Sequence, residues 1–187
     1  MRKILIFMML LMSCVCAMAQ ADVLLYKKGK TAHTAKDYQT AFKYFEQAAN
    51  QGHVDAMYDM GNYYQYGNGI EADNDKAMYW YQKAADNGNK YALRELASVY
   101  EYGRLGQQMD YAKAVKYYKH LYSDATSDRE KARYAHRIGL CYLIPLDKKF
   151  PKNLSEAKKW YKKSAKLGNS EAIDVLNNWE EWSNKAQ

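Results

Sequence analysis

Catalysis or metal binding would require histidine, cysteine and carboxylate side chains at working distances. The four histidines, His33, His53, His120 and His136, lie far apart and carry no Cys or Glu at ligand spacing. A zinc site needs such a cluster, so no metal and no cofactor is expected. Gly67-Asn-Gly69 does not join a strand to a helix, so it makes no phosphate-cradling loop. Isolated Ser, His and Asp residues show no nucleophile-and-base spacing. Chemistry is not what these residues predict.

The N-terminus reads as a targeting segment. Arg2 and Lys3 are followed by an apolar run from Ile4 to Met12, then by Ala17-Met18-Ala19, a small-x-small cleavage pattern. Residues 1–19 are thus expected to be a signal peptide, with Gln20 first in the mature chain. A rival reading takes Leu11-Met12-Ser13-Cys14 as a lipobox with Cys14 anchored to lipid. The apolar run is too short to span a bilayer, and no later segment approaches the roughly 20 residues needed. A periplasmic or secreted protein with no transmembrane segment is expected. Cleavage removes Cys14 and Cys16 and leaves Cys141, expected as a small buried helix residue without a disulfide. Loss of Arg2 and Lys3 also lowers the net charge from +7 to +5. Apart from Lys158-Lys159 and Lys162-Lys163 the basic residues are scattered, which argues against a nucleic-acid partner.

What must position any functional side chain is a repeated helical unit. Asn50-Gln-Gly52-His-Val-Asp-Ala56-Met-Tyr-Asp-Met60-Gly61-Asn-Tyr-Tyr64-Gln-Tyr-Gly67 recurs 36 positions later, as Asp86 to Gly103. A second block, Asp37 to Phe45, recurs at Asp73 to Tyr81, at Asp110 to Tyr118 and at Asn153 to Tyr161. Asp37, Asp73, Asp110 and Asn153 each precede an apolar-periodic run, where a short acceptor caps a helix. Ala41, Tyr44, Phe45 and Ala48 share one helical face, as do Ala77, Trp80, Tyr81 and Ala84. Gly52, Gly88 and Gly168 fall just past these capped helices, here called B, where a left-handed residue is favoured. The partner A helices run from about 53 to 66 and from about 89 to 102. Inside them Gly29, Gly61 and Gly139 recur, with Ala97 in the third unit. Glycine costs a helix up to about 1 kcal/mol, so its recurrence predicts a close crossing with a B helix. Tyr64, Tyr100, Tyr142, Tyr81, Tyr118 and Tyr161 are expected in the core.

These motifs resemble the Sel-one-like repeat (SLR), a relative of the tetratricopeptide repeat. Its pattern of small residue, tyrosine, glycine loop, capping Asp and Trp-Tyr pair is nearly complete from Ala56 to Gly88. Most of it returns from Ala92 to Tyr118. The next copy departs: Leu121 and Tyr122 replace an Ala-Ala pair, and Ser123 to Asp128 lengthen the connection. The first unit lacks the glycine loop between Gly29 and Asp37. The resemblance implies an all-α, right-handed α-solenoid of antiparallel helix pairs, with about nine helices. The units are a tetratricopeptide-like pair at 20–51, repeats at 52–87 and 88–123, a divergent repeat at 124–168 and a capping helix at 169–187. Trp179 and Trp182 are expected to cover the last B helix.

The resemblance also implies function: a non-enzymatic scaffold or adaptor whose A helices line a concave face that holds a protein or peptide. Carried over by register, the candidate partner-binding residues are Tyr26, Lys30 and His33; Tyr58, Asn62 and Gln65; Arg94, Ser98 and Glu101; and Arg133 and His136. Solvated helix faces are the plain alternative for these positions. The second reading is an exported repeat enzyme that binds or hydrolyses β-lactams; relatives of that kind carry a cysteine pair in each unit, whereas this mature chain keeps one cysteine. Binding of envelope glycans by exposed tyrosines is a third reading.

Overall fold

The computed structural model describes residues 21–143 and 149–185. The expected signal peptide, with Cys14, Cys16 and Gln20, lies outside the described residues. Helix α1 covers 21–34. It is followed by α2 (Tyr38–Asn50), α3 (Val54–Tyr66), α4 (Asn74–Asp86), α5 (Lys90–Tyr102) and α6 (Tyr111–Asp124). The chain then forms α7 (Asp128–Leu143), α8 (Leu154–Lys166), α9 (Ser170–Asn177) and α10 (Trp179–Lys185). No strand occurs among the described residues. Two compact units divide the chain, α1 to α4 up to Asn89 and α5 to α10 from Lys90.

Caps do more than end the helices. Asp37, Asp73, Asp110 and Asn153 accept the N–H of Thr40, Lys76, Lys113 and Glu156 at 2.9–3.1 Å, which satisfies a donor the first turn leaves open. The backbone N–H groups of Asp73, Asp110 and Asn153 also donate to the carbonyls of Tyr64, Tyr100 and Tyr142, at 2.8, 2.8 and 3.0 Å. Each B helix is thereby tied at its first residue to the A helix before it. In the shorter first turn, Asp37 donates to Ala32 instead, and Lys36 takes the left-handed conformation at φ 62°. After α6 no glycine cap exists. Ala125 is extended, and Ser127 starts α7: its hydroxyl accepts from the Glu130 N–H at 3.3 Å and donates to the Glu130 carboxylate at 3.2 Å.

The small A-helix residues lie against B-helix rings, as the repeat predicts. A methyl group on Gly29 would stand 2.6 Å from the Phe45 ring, and one on Gly61 2.5 Å from the Tyr81 ring. At Gly139 the distance to the Tyr161 ring is 3.2 Å. Phe45, Tyr81 and Tyr161 have no exposed surface, and Tyr118 is nearly as buried. Burial of each such ring contributes about 1.5–3 kcal/mol, more than the glycine costs.

Tyr64, Tyr100 and Tyr142 are not core residues in this sense. They are half-buried where the loop leaves the helix, with the ammonium groups of Lys76, Lys113 and Lys119 at 5.3, 4.6 and 5.7 Å from their ring centres. Tyr63, one position earlier, is the buried ring of its helix. The C-terminal segment also differs from expectation, because Asn178 splits it in two by bonding back to Asp174. Trp179 packs on the cluster of Leu143, Ala157, Tyr161, Ala172 and Val175. Trp182 is 40% exposed.

The ring contacts set a graded outcome for glycine replacement. Gly29→Ala and Gly61→Ala should each cost about 1–3 kcal/mol in urea unfolding, because a buried ring must move. Gly139→Ala meets a looser contact and gains helix preference of up to about 1 kcal/mol, so it should lie near wild type. Equal stability of Gly61→Ala and wild type would show that the crossing does not require glycine.

Candidate functional site

In the first unit the candidate residues gather around one carboxylate. Tyr26 stacks on His53, with ring centres 4.2 Å apart, and its hydroxyl lies beside Asp59. Lys30 Nζ is 3.7 Å from Asp59 Oδ2, and His33 Nδ1 is 2.8 Å from the Tyr63 hydroxyl. Burial pushes the Asp59 carboxyl above its usual range, against the nearby Lys30 charge. Burial and Asp59 together push the Tyr63 phenol up to about 12. Tyr58 packs 5.8 Å from Tyr81. The Tyr81 hydroxyl lies 2.9 Å from Asn62 Oδ1 and 2.6 Å from Gln65 Oε1. Most of this set serves the interior, and Lys30 is its exposed member.

In the second unit the candidate residues form a cavity of about 510 Å³. Arg94 and Ser98 of α5 face Arg133 and His136 of α7, and Asn169 and Glu171 close one side at the start of α9. Arg104 donates to Glu95 Oε2 at 3.0 Å and to Ser98 Oγ at 2.9 Å. The Arg94 guanidinium lies 5.3 Å from the Tyr91 ring centre, and that of Arg133 5.2 Å from Tyr134. Neither arginine has an acidic partner among the described residues. His136 Nε2 is 3.4 Å from Glu171 Oε2, while its buried Nδ1 has no hydrogen-bond partner. Burial holds the imidazole below its ordinary pKa, opposed by Glu171 and assisted by Arg137. It is therefore neutral near pH 7.

Glu101 corrects the outward placement given by register. It is 4% exposed. Its Oε2 accepts from the Tyr118 hydroxyl at 2.6 Å and lies 3.1 Å from Arg137 Nη2. Arg137 also donates to the Tyr102 hydroxyl. Burial opposes the Arg137 charge, but Tyr118, Glu101 and Tyr102 outweigh it and the guanidinium stays protonated. A buried carboxylate must be paired to be tolerated, and Arg137 is the residue that pairs it. Cys141 is also buried. Desolvation, then Glu101, pushes its thiol up to about 12, so it carries no reactive thiolate.

A single rule joins these observations. The residue four positions after the small A-helix residue receives the hydroxyl of the B-helix tyrosine. Gln65 does so for Tyr81 and Glu101 for Tyr118. In the first repeat the position holds His33, the ring is Phe45, and His33 turns to Tyr63 instead. In the fourth repeat it holds Leu143, and the Tyr161 hydroxyl is buried without a partner. Register therefore grouped His33, Gln65 and Glu101 with the groove although each serves a tyrosine. Asp59, Arg137, Asn169 and Glu171 went unnoticed. The signal available for Arg137 was the need to pair a carboxylate at a core position.

The Sel1 repeat profile matches residues 15–53, 54–89, 90–119 and 132–169. This chain belongs to the Sel1 repeat family. Its fold is all-α, built of SLR-type helix pairs. The fold is similar to that of c5321, a protective antigen of uropathogenic Escherichia coli with an SLR fold. That similarity has a TM-score of 0.65 and 26% identity over 82% of this chain and 32% of the antigen. A Sel1 repeat protein from Oxalobacter formigenes is similar in fold at a TM-score of 0.62, with 24% identity over 85% of this chain and 62% of the other. The chain thus spans about a third of the antigen's length. No match is found among curated proteins.

Replacing the three tyrosines separates structural from orphaned hydroxyls. Tyr81→Phe and Tyr118→Phe should each lose about 1–2 kcal/mol in urea unfolding, since each removes a hydrogen bond made by a buried ring's hydroxyl. Tyr161→Phe removes an unsatisfied hydroxyl and should gain up to about 1 kcal/mol. A loss at Tyr161→Phe equal to the other two would refute the assignment.

Proposed function

We propose that this protein is an exported, non-catalytic scaffold that holds a protein or peptide partner. Sel1-repeat folds are typically protein-interaction scaffolds. The observation that carries the reading is the second-unit cavity, where Arg94 and Arg133 stand without an acidic partner among the described residues beside the half-buried His136. Guanidinium groups resting on tyrosine rings are held ready, so binding orders little more side chain. Aromatic and arginine side chains are also the residue types that anchor protein interfaces. Among the described residues no group of His, Cys, Asp and Glu side chains is arranged to hold a metal. No helix among them is long and apolar enough to cross a membrane.

Affinity purification of the tagged protein from its native envelope tests the reading. Arg94→Ala with Arg133→Ala should reduce recovery of the partner about tenfold or more while helicity is unchanged. An identical set of recovered proteins would sink it. N-terminal sequencing of the same material should begin at Gln20. A blocked, lipid-modified Cys14 would place the chain on a membrane surface instead.

A further inference from the structure

The cavity has a neighbour that shares two of its residues. A second cleft of about 490 Å³ is lined by His136 and Glu171, and by Leu140, Tyr161, Val175 and Trp182 among others. The two clefts present opposite chemistry. The first offers two guanidinium groups without an acidic partner among the described residues, Arg94 and Arg133. The second offers an aliphatic floor, an exposed tryptophan and two buried polar atoms without partners, Tyr161 Oη and His136 Nδ1. Their rings meet edge to face at 5.4 Å. A buried hydroxyl and ring nitrogen left unmatched each cost free energy, and both lie beneath the cleft surface rather than on it.

We infer that the joined clefts bind an acidic peptide segment in which carboxylates stand beside an apolar residue. The carboxylates pair with Arg94 and Arg133, and the apolar side chain enters between Leu140, Val175 and Trp182. Arginine's planar fork suits carboxylates in two-point contact. Uniform polyanions fit poorly, because Asp174 lines the second cleft and Glu171 lines both. Glu95 is already neutralised by Arg104 at 3.0 Å. Glu171 and Asp174 stand on the α9 side, which steers a carboxylate to the arginine side and fixes the direction of the segment. The inference rests on the scaffold reading above and names the chemistry of its partner.

Panning a random peptide phage library on the full chain tests it. The selected sequences should be enriched in Asp or Glu next to Leu, Ile, Phe or Trp. A labelled consensus peptide, followed by fluorescence anisotropy, should bind Arg94→Gln/Arg133→Gln about tenfold more weakly, as expected for lost charge-assisted hydrogen bonds. These variants keep the side-chain stem over the rings. Lys43→Ala/Lys116→Ala removes the same charge elsewhere and should bind as wild type does. Equal loss in both pairs would reduce the effect to net charge and overturn the inference. Enriched peptides without acidic residues would leave the scaffold reading standing and end this one. Arginine-dependent binding of heparin with no peptide enriched would assign the clefts to polyanions, and no binding of either probe would remove both readings.

Discussion

The contact on which each repeat depends is a tyrosine or phenylalanine ring lying flat against a residue with almost no side chain. Once the ring is there, the A helix is fixed in rotation, because the small residue must face it. The hydroxyl of a tyrosine then emerges one helical turn further along and needs an acceptor. Gln65 and Glu101 supply it, so a position that looks polar and outward in a helical wheel becomes part of the interior. Phe45 lacks the hydroxyl, which frees His33 to bond Tyr63. Leu143 cannot accept, and Tyr161 is left unmatched. One packing rule with four local solutions accounts for much of what differs between the repeats.

Glu101 shows how such a solution can create a surface. A carboxylate buried against Tyr118 draws in Arg137, and Arg137 also lines the cavity with Arg94 and Arg133. One of the three arginines lining the cleft is therefore held there by the acidic core beneath it. In the first unit the neutral Gln65 asks for no such partner. The carboxylate there is Asp59, reached by Tyr26 and by Lys30 at 3.7 Å.

Much of the fold was legible in the sequence. The capping residues, the left-handed glycines and the small-residue crossings follow from local backbone rules that any helix must obey. The divergent connection after α6 was visible as a missing glycine, though not its replacement by Ser127 and Glu130. The site was less legible. Arg94, Ser98, Arg133 and His136 do meet at one cavity, because positions six and three before and one after the small residue turn away from the ring. Glu101 does not stay outside, since pairing with Arg137, 36 residues on, cannot be read from a helical wheel. Asp59 escaped notice for the same reason. Its environment comes from α1, and sequence spacing says nothing of which helix will lie beside it.

The same contacts bear on the order in which the chain can fold. Gln65 to Tyr81 and Glu101 to Tyr118 span only 16 and 17 residues. Each ring can find its small residue as soon as one further helix has emerged, with no wait for distant sequence. Contacts of such short range favour fast assembly and allow nucleation at any repeat. Emerging from the ribosomal tunnel, the polypeptide would close its repeats one after another. The last ring to settle is then Tyr161, the one whose hydroxyl arrives with nothing to hold it.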